Sequence, residues 1–218
     1  HQISHLALML LHTLFVIALA AESMSAALAA GRRNMDWFGV CVLGCVTALG
    51  GGTARDLLLG HYPLLWVDQP AYLLVTTAAA LFTIAVARIM ERLKLIFLLL
   101  DAVGLVVFTI SGCMVAMEMG QPVLIVIVAG IITGCVGGVL RDVLCNDVPL
   151  LFSGELYATV SAITACVFFF GIQAGFPVEL MTIAAMVLGF TLRTLAIVFK
   201  IEMPRFVYVP VRDQSSKR

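Results

Sequence analysis

Seven apolar stretches separated by short polar joints set the pattern of this chain, at residues 6–30, 37–54, 71–88, 95–117, 122–140, 156–174 and 178–199. Most reach the ~20 residues that an α-helix needs to cross about 30 Å of hydrocarbon. The first has no basic segment before it, is longer than the apolar core of a signal peptide and carries Arg32-Arg33 on its far side. It therefore reads as a retained span. His1 at the head of the chain suggests trimming. The pattern predicts an all-α membrane protein of seven transmembrane helices forming a single domain over residues 1–218.

Composition agrees. Of 218 residues 62% are hydrophobic and 12% charged, against about 25% charged in an ordinary soluble domain, and mean hydropathy is +1.10. Zero net charge argues against a nucleic-acid partner. Of 13 Lys and Arg, only Arg55, Arg141 and Arg193 lie within the spans or at their ends. The other ten fall in the first connection (Arg32, Arg33), the third (Arg88, Arg92, Lys94) and the tail from 200 to 218 (Lys200, Arg205, Arg212, Lys217, Arg218). With seven spans these places share one side and the other side has no Lys or Arg, so the positive-inside rule places the C-terminus in the cytoplasm and the N-terminus outside. Trp37, Tyr62, Trp66 and Tyr72 sit near span ends, where aromatic side chains anchor at the interface.

The chain also repeats itself. Gly50-Gly51-Gly52-Thr53-Ala54-Arg55-Asp56 matches Val136-Gly137-Gly138-Val139-Leu140-Arg141-Asp142 at an offset of 86. Between residues 48–65 and 134–151, 8 of 18 positions are identical, including Pro63-Leu64-Leu65 and Pro149-Leu150-Leu151. Gly44/Gly130 and Thr47/Thr133 extend the match backwards. At an offset of 89, His12 aligns with Asp101, Phe15 with Gly104, Glu22 with Ser111 and Ala27 with Ala116. Each repeat, 6–88 and 95–174, then holds three spans. Three is odd, so the second enters from the opposite side and the two are related by a pseudo-two-fold axis in the membrane plane. The seventh helix, 178–199, stands outside the duplication.

Glycine runs followed by charge are costly in hydrocarbon unless they line a polar cavity. Gly50, Gly51, Gly52, Gly137 and Gly138 are expected to break the second and fifth spans. The freed backbone groups would then coordinate ions or polar solutes near mid-membrane. An alternative takes the doublets as close-packing sites of the small-xxx-small kind. Arg55 and Arg141 are read either as clamps, pairing across the repeats with Asp142 and Asp56, or as pathway residues. Glu22 lies well inside the first span and is a functional candidate by default. Thr53, Asp101 and Ser111 are further pathway candidates, with Asp101 placed near the cytoplasmic interface. Arg193 is expected to pair with a carboxylate.

Several chemistries are excluded. Gly-Gly-Gly-Thr has no Walker lysine after it and no strand–loop–helix around it. No Ser-His-Asp set or nucleophile elbow can be assembled, so no enzyme activity is expected. The cysteines, Cys41, Cys45, Cys113, Cys135, Cys145 and Cys166, lack Cys-x-x-Cys spacing and read as small apolar residues, not disulfide or metal ligands. No cofactor or resident metal is expected. A purely structural membrane protein is disfavoured because intramembrane charge is costly without a pathway or partner.

Tandem three-helix units carrying Gly-Gly-x-x-Arg-Asp and a following proline resemble the small bacterial membrane proteins related to the trimeric intracellular cation channels, over residues 6–199. The resemblance implies a homotrimer in the bacterial inner membrane, each protomer with its own hourglass pore. It implies passive permeation of monovalent cations, chiefly K⁺ but also Na⁺. The animal channels have a lysine-containing motif associated with acidic lipid where Arg55-Asp56 stands here, so lipid gating does not carry over. Related bacterial members are linked to glycine uptake. That keeps a carrier for a small zwitterion as the alternative, since arginine plus carboxylate complements both ends of such a solute.

Overall fold

The computed structural model describes residues 4–90, 92–153 and 156–206. The tail positions Arg212, Lys217 and Arg218 lie outside them, as does His1. Among the described residues eight α-helices follow one another: α1 (His5–Arg32), α2 (Trp37–Leu59), the single-turn α3 (Leu65–Asp68), α4 (Ala71–Val86), α5 (Leu93–Glu118), α6 (Val123–Leu144), α7 (Tyr157–Gln173) and α8 (Val178–Phe199). Six of these described helices are long and apolar enough to cross a membrane, α4 with the 3₁₀ turn that extends it to Ile89, and α7 is a shorter apolar helix of 17 residues. Large apolar side chains such as Phe38, Leu74, Leu124 and Val187 point outward, as on a surface solvated by lipid.

Local sequence sets the ends. Ser4 caps α1 by accepting from the Ala7 amide at 3.1 Å, and Asp36 caps α2 by accepting from Gly39 at 2.7 Å. Each side chain satisfies an amide that has no intrahelical partner. Pro122 and Pro177 precede the first residues of α6 and α8, where a missing N–H costs nothing. α2 ends at Gly60 in the left-handed region, φ 67°.

Repeat-related helices meet at the centre: α1 packs on α5 and α2 on α6, with α4 against α1 and α2, α7 against α5 and α6, and α8 against α7 and α5. The glycine runs do not break these helices. α2 and α6 continue through Gly50–Gly52 and Gly137–Gly138. The glycines serve contact instead. A Cβ on Gly51 would overlap the carbonyl oxygen of Thr133, and one on Gly137 would overlap that of Thr47. These four residues are equivalent pairs of the duplication, so the crossing is reciprocal, backbone against backbone. Glycine in a helix interior costs about 1 kcal/mol relative to alanine, and here the close approach of two helices offsets it. Both helices therefore run through the crossing without interruption.

Tyr72 also departs from expectation. It is buried, with its ring 5.4 Å from that of Phe15. Trp37 and Tyr62, at 69% and 64% exposure, remain at the surface as anchors would. All six cysteines are free.

Candidate functional site: two arginine–aspartate centres

Each Gly-Gly-x-x-Arg-Asp motif builds its own centre. The second glycine of the doublet stands one turn before the arginine, against the guanidinium. A Cβ on Gly52 would lie 3.6 Å from Arg55 Nη2, and one on Gly138 3.4 Å from Arg141 Nη2. The arginine folds back onto the adjacent aspartate. Arg55 donates to Asp56 Oδ1 from Nε at 3.0 Å and from Nη2 at 2.8 Å, and Arg141 Nε donates to Asp142 Oδ1 at 2.9 Å. The other carboxylate oxygen accepts from the chain beyond the helix end, Leu65 N onto Asp56 at 2.9 Å and Leu150 N onto Asp142 at 3.0 Å. Each aspartate thus neutralises its arginine and pins the following turn.

The cross-repeat pairing of Arg55 with Asp142 and Arg141 with Asp56 is therefore not what forms. Nor do the centres face one another. The Arg55 centre lies beside Ser111 and Glu118, whereas Arg141 contacts Asp101 on the same helix α5. Ten residues separate Asp101 from Ser111, which is about 15 Å of helix. The centres thus sit toward opposite ends of the bundle, on either side of the Gly51–Gly137 crossing.

The two centres differ in what surrounds them. Arg141 is fully buried; its Nη1 donates to Asp101 Oδ1 at 2.5 Å and to Ser25 Oγ at 3.2 Å, and stands 3.7 Å from Glu22 Oε2. Its guanidinium also stacks on the Phe97 ring, 4.6 Å from the centroid. Asp101 is fully buried here. Three carboxylates, Glu22, Asp101 and Asp142, face one guanidinium. Among the described residues, Glu22 Oε1, Asp101 Oδ2, Arg141 Nη2 and the Tyr157 hydroxyl have no hydrogen-bond partner. Gly104 permits this crowding, because a Cβ there would overlap the Glu22 carboxyl group. Arg193 stacks over the Tyr157 ring at 5.2 Å rather than standing apart from the group.

Arg55 has fewer partners. Besides Arg55, Asp56 Oδ1 meets His61 Nδ1 at 3.0 Å. A cavity of about 290 Å³ opens next to this centre, lined by Arg55, Asp56, His12, His61, Ser111 and Tyr72 among others.

The structure thus gathers Glu22, Asp101, Arg141, Asp142 and Gly138 in one place, and Arg55, Asp56, Gly52 and Ser111 in the other. Gly50 and Thr53 join neither: they line a separate apolar groove with Trp66 and Leu140, and Thr53 Oγ1 donates back to Leu49 O at 2.7 Å. Ser25, Tyr157, His12 and His61 are site members that sequence reasoning passed over. The offset-89 alignment already set His12 opposite Asp101, which was the signal for that residue. Among the described residues no group of His, Cys, Asp and Glu is arranged to hold a metal ion.

Comparison with known proteins agrees with this architecture. The family model described as "Glycine transporter" matches twice, over residues 12–88 and 98–173, on the two repeats. The UPF0126 inner membrane protein YadS of Escherichia coli K12 is 38% identical over 200 residues, 91% of this chain and 97% of its own. A UPF0126 membrane protein of Vibrio cholerae is 35% identical over 198 residues, 90% of this chain and 83% of its own. The crystal structure of a TRIC trimeric intracellular cation channel orthologue from Rhodobacter sphaeroides is 36% identical and superposes with a TM-score of 0.85, covering 88% of this chain and 99% of that one. Twin motifs, a shared helical fold and identity spread over nine-tenths of the sequence have one reading: the chain belongs to the prokaryotic TRIC-like family of membrane proteins that the glycine-transporter model describes.

Proposed function

We propose that the protein is a monovalent cation channel, K⁺-permeable, with an hourglass pathway inside each protomer of a homotrimer in the bacterial inner membrane. The observation that carries this reading is the acid surplus around Arg141. Three carboxylates against one guanidinium, inside apolar helices, attract a cation and hold oxygens ready to replace part of its hydration shell. The Gly51–Gly137 crossing supplies the waist of the hourglass, and the polar centres lie on either side of it. The resemblance to solved cation channels supports the same reading. We take residues 6–88 and 95–174 as inverted repeats and α7 as the sixth of seven spans. Its 17 residues cover about 25 Å, enough for a short crossing.

The experiment is current through the purified protein in a planar bilayer under K⁺ and Na⁺ gradients. A cation-selective current that falls several-fold in Glu22→Gln and in Asp101→Asn is the expected result. No current, or current carried by anions, sinks the assignment.

A second reading, a carrier for a small zwitterion such as glycine, is favoured by one observation: Arg55 and Asp56 stand together at a cavity, opposite charges side by side. Saturable uptake of labelled glycine into proteoliposomes, without bulk conductance, would replace the channel by the carrier.

Orientation has its own test. A tag after Arg218 and a reporter near Arg92 are expected to report the cytoplasm, and a reporter near Pro70 the outside. The reverse labelling would mean that the Lys and Arg distribution does not set the topology.

A further inference from the structure

The duplication shows what Arg55 lacks. In the second repeat, Arg141 uses Nε for its neighbouring aspartate and Nη1 for Asp101 Oδ1 at 2.5 Å, with Glu22 at 3.7 Å behind it. Around Arg55, the positions equivalent to Asp101 and Glu22 are His12, from the first repeat, and Ser111, from the second. Both line the cavity beside Arg55, and neither brings a carboxylate. Arg55 keeps its bonds to Asp56, but Nη1, the atom whose counterpart holds Asp101, has no hydrogen-bond partner among the described residues. The side chain is only 2% exposed. A buried, ionised donor left unmade is expensive. Here it adjoins a cavity of about 290 Å³, large enough for a solute of a few heavy atoms.

We infer that this cavity binds a small zwitterionic solute whose carboxylate sits on Arg55 Nη1, in the place that Asp101 occupies against Arg141. A plain anion is the poorer fit. Asp68 and Glu118 also line the cavity and are exposed, so a ligand carrying an ammonium group beside its carboxylate complements both charges. His12 and Ser111 offer the remaining polar contacts. The inference gives the carrier reading its site. It does not rest on cation conduction, because a channel can hold such a ligand in its mouth.

The test is equilibrium binding to the full chain in detergent, by calorimetry and by ligand-dependent thermal shift, with glycine, acetate and methylammonium as probes. Glycine is expected to bind, acetate more weakly, and methylammonium not at all. The decisive variant is His12→Asp, which gives the first repeat the carboxylate that the second one has. His12 is exposed, so the variant is expected to fold. Its new carboxylate should occupy Nη1, raising the melting temperature of the unliganded protein and weakening glycine about tenfold or more, as displacing a charged hydrogen bond does. Arg55→Lys, which keeps charge but loses the fork, should weaken glycine while preserving the fold. Absence of glycine binding overturns the inference, as do glycine binding unchanged in His12→Asp and acetate binding as tightly as glycine. Because the readout is binding and not flux, such a failure leaves the channel reading standing, and a non-conducting protein that binds glycine leaves this one standing.

Discussion

Replacing Gly51 or Gly137 with valine is expected to abolish recovery of folded protein. At each position the first added carbon collides with a carbonyl oxygen of the facing helix, Thr133 for Gly51 and Thr47 for Gly137. Overpacking against side chains costs about 1–3 kcal/mol because rotamers can shift. Backbone in the middle of a helix cannot yield in that way, so the loss should reach or exceed the top of that range. Gly50→Ala is the control. Its added carbon meets Leu140 Cδ1 at 2.8 Å, the far end of a flexible side chain, and the aligned position in the other repeat is Val136. Size-exclusion profiles in detergent decide the matter: loss of the monodisperse peak for the valine variants and its retention for Gly50→Ala. A well-folded Gly51→Val protein would mean that the α2–α6 crossing is not a structural requirement.

Arg141→Gln should be nearly as damaging, and more so than Arg55→Gln. The first leaves Asp101, Glu22 and Asp142 facing one another without a cation; the second leaves Asp56, which still accepts from the Leu65 amide and meets His61. Removing one partner of a buried ion pair costs on the order of 3–5 kcal/mol. Adding Asp101→Asn to Arg141→Gln puts two neutral amides face to face and should restore part of the stability. Adding Thr53→Ala should restore none, because that residue lies outside the centre. Thermal unfolding of the four proteins reads this directly. Equal losses at Arg55 and Arg141 would contradict the unequal surroundings described for them.

The apolar pattern alone located every long helix, because hydrocarbon enforces a length and a composition that few other environments demand. The span expected at 178–199 coincides with α8, and that at 71–88 with α4 and the 3₁₀ turn after it. The duplication was equally plain. The role of its glycines was not. A glycine that breaks a helix and one that admits a neighbouring backbone look alike in one dimension; the difference lies in Thr47 and Thr133, residues of the opposite repeat. The pairing of the charges was misread for a related reason. Cross-repeat clamps would suit centres that met at mid-membrane, and that placement depended on the breaks. α3 escaped notice because a single turn has no periodicity to detect. Tyr157 and Ser25 escaped because their burial beside Arg141 depends on how helices pack, which neighbours in sequence do not reveal.

The adjacency of arginine and aspartate has a consequence for descent. A motif that neutralises itself within two residues brings no net charge into the bilayer, whichever way its helices enter. A lone three-helix ancestor could thus have inserted in either orientation, and two copies could have met head to tail through a backbone contact made twice over, each change in one sequence acting on both halves of the interface. Once fused in a single chain, the copies were free to diverge. Histidine against aspartate, and serine against glutamate, are traces of that freedom: one arginine came to be ringed by carboxylates from both halves, and the other was left open.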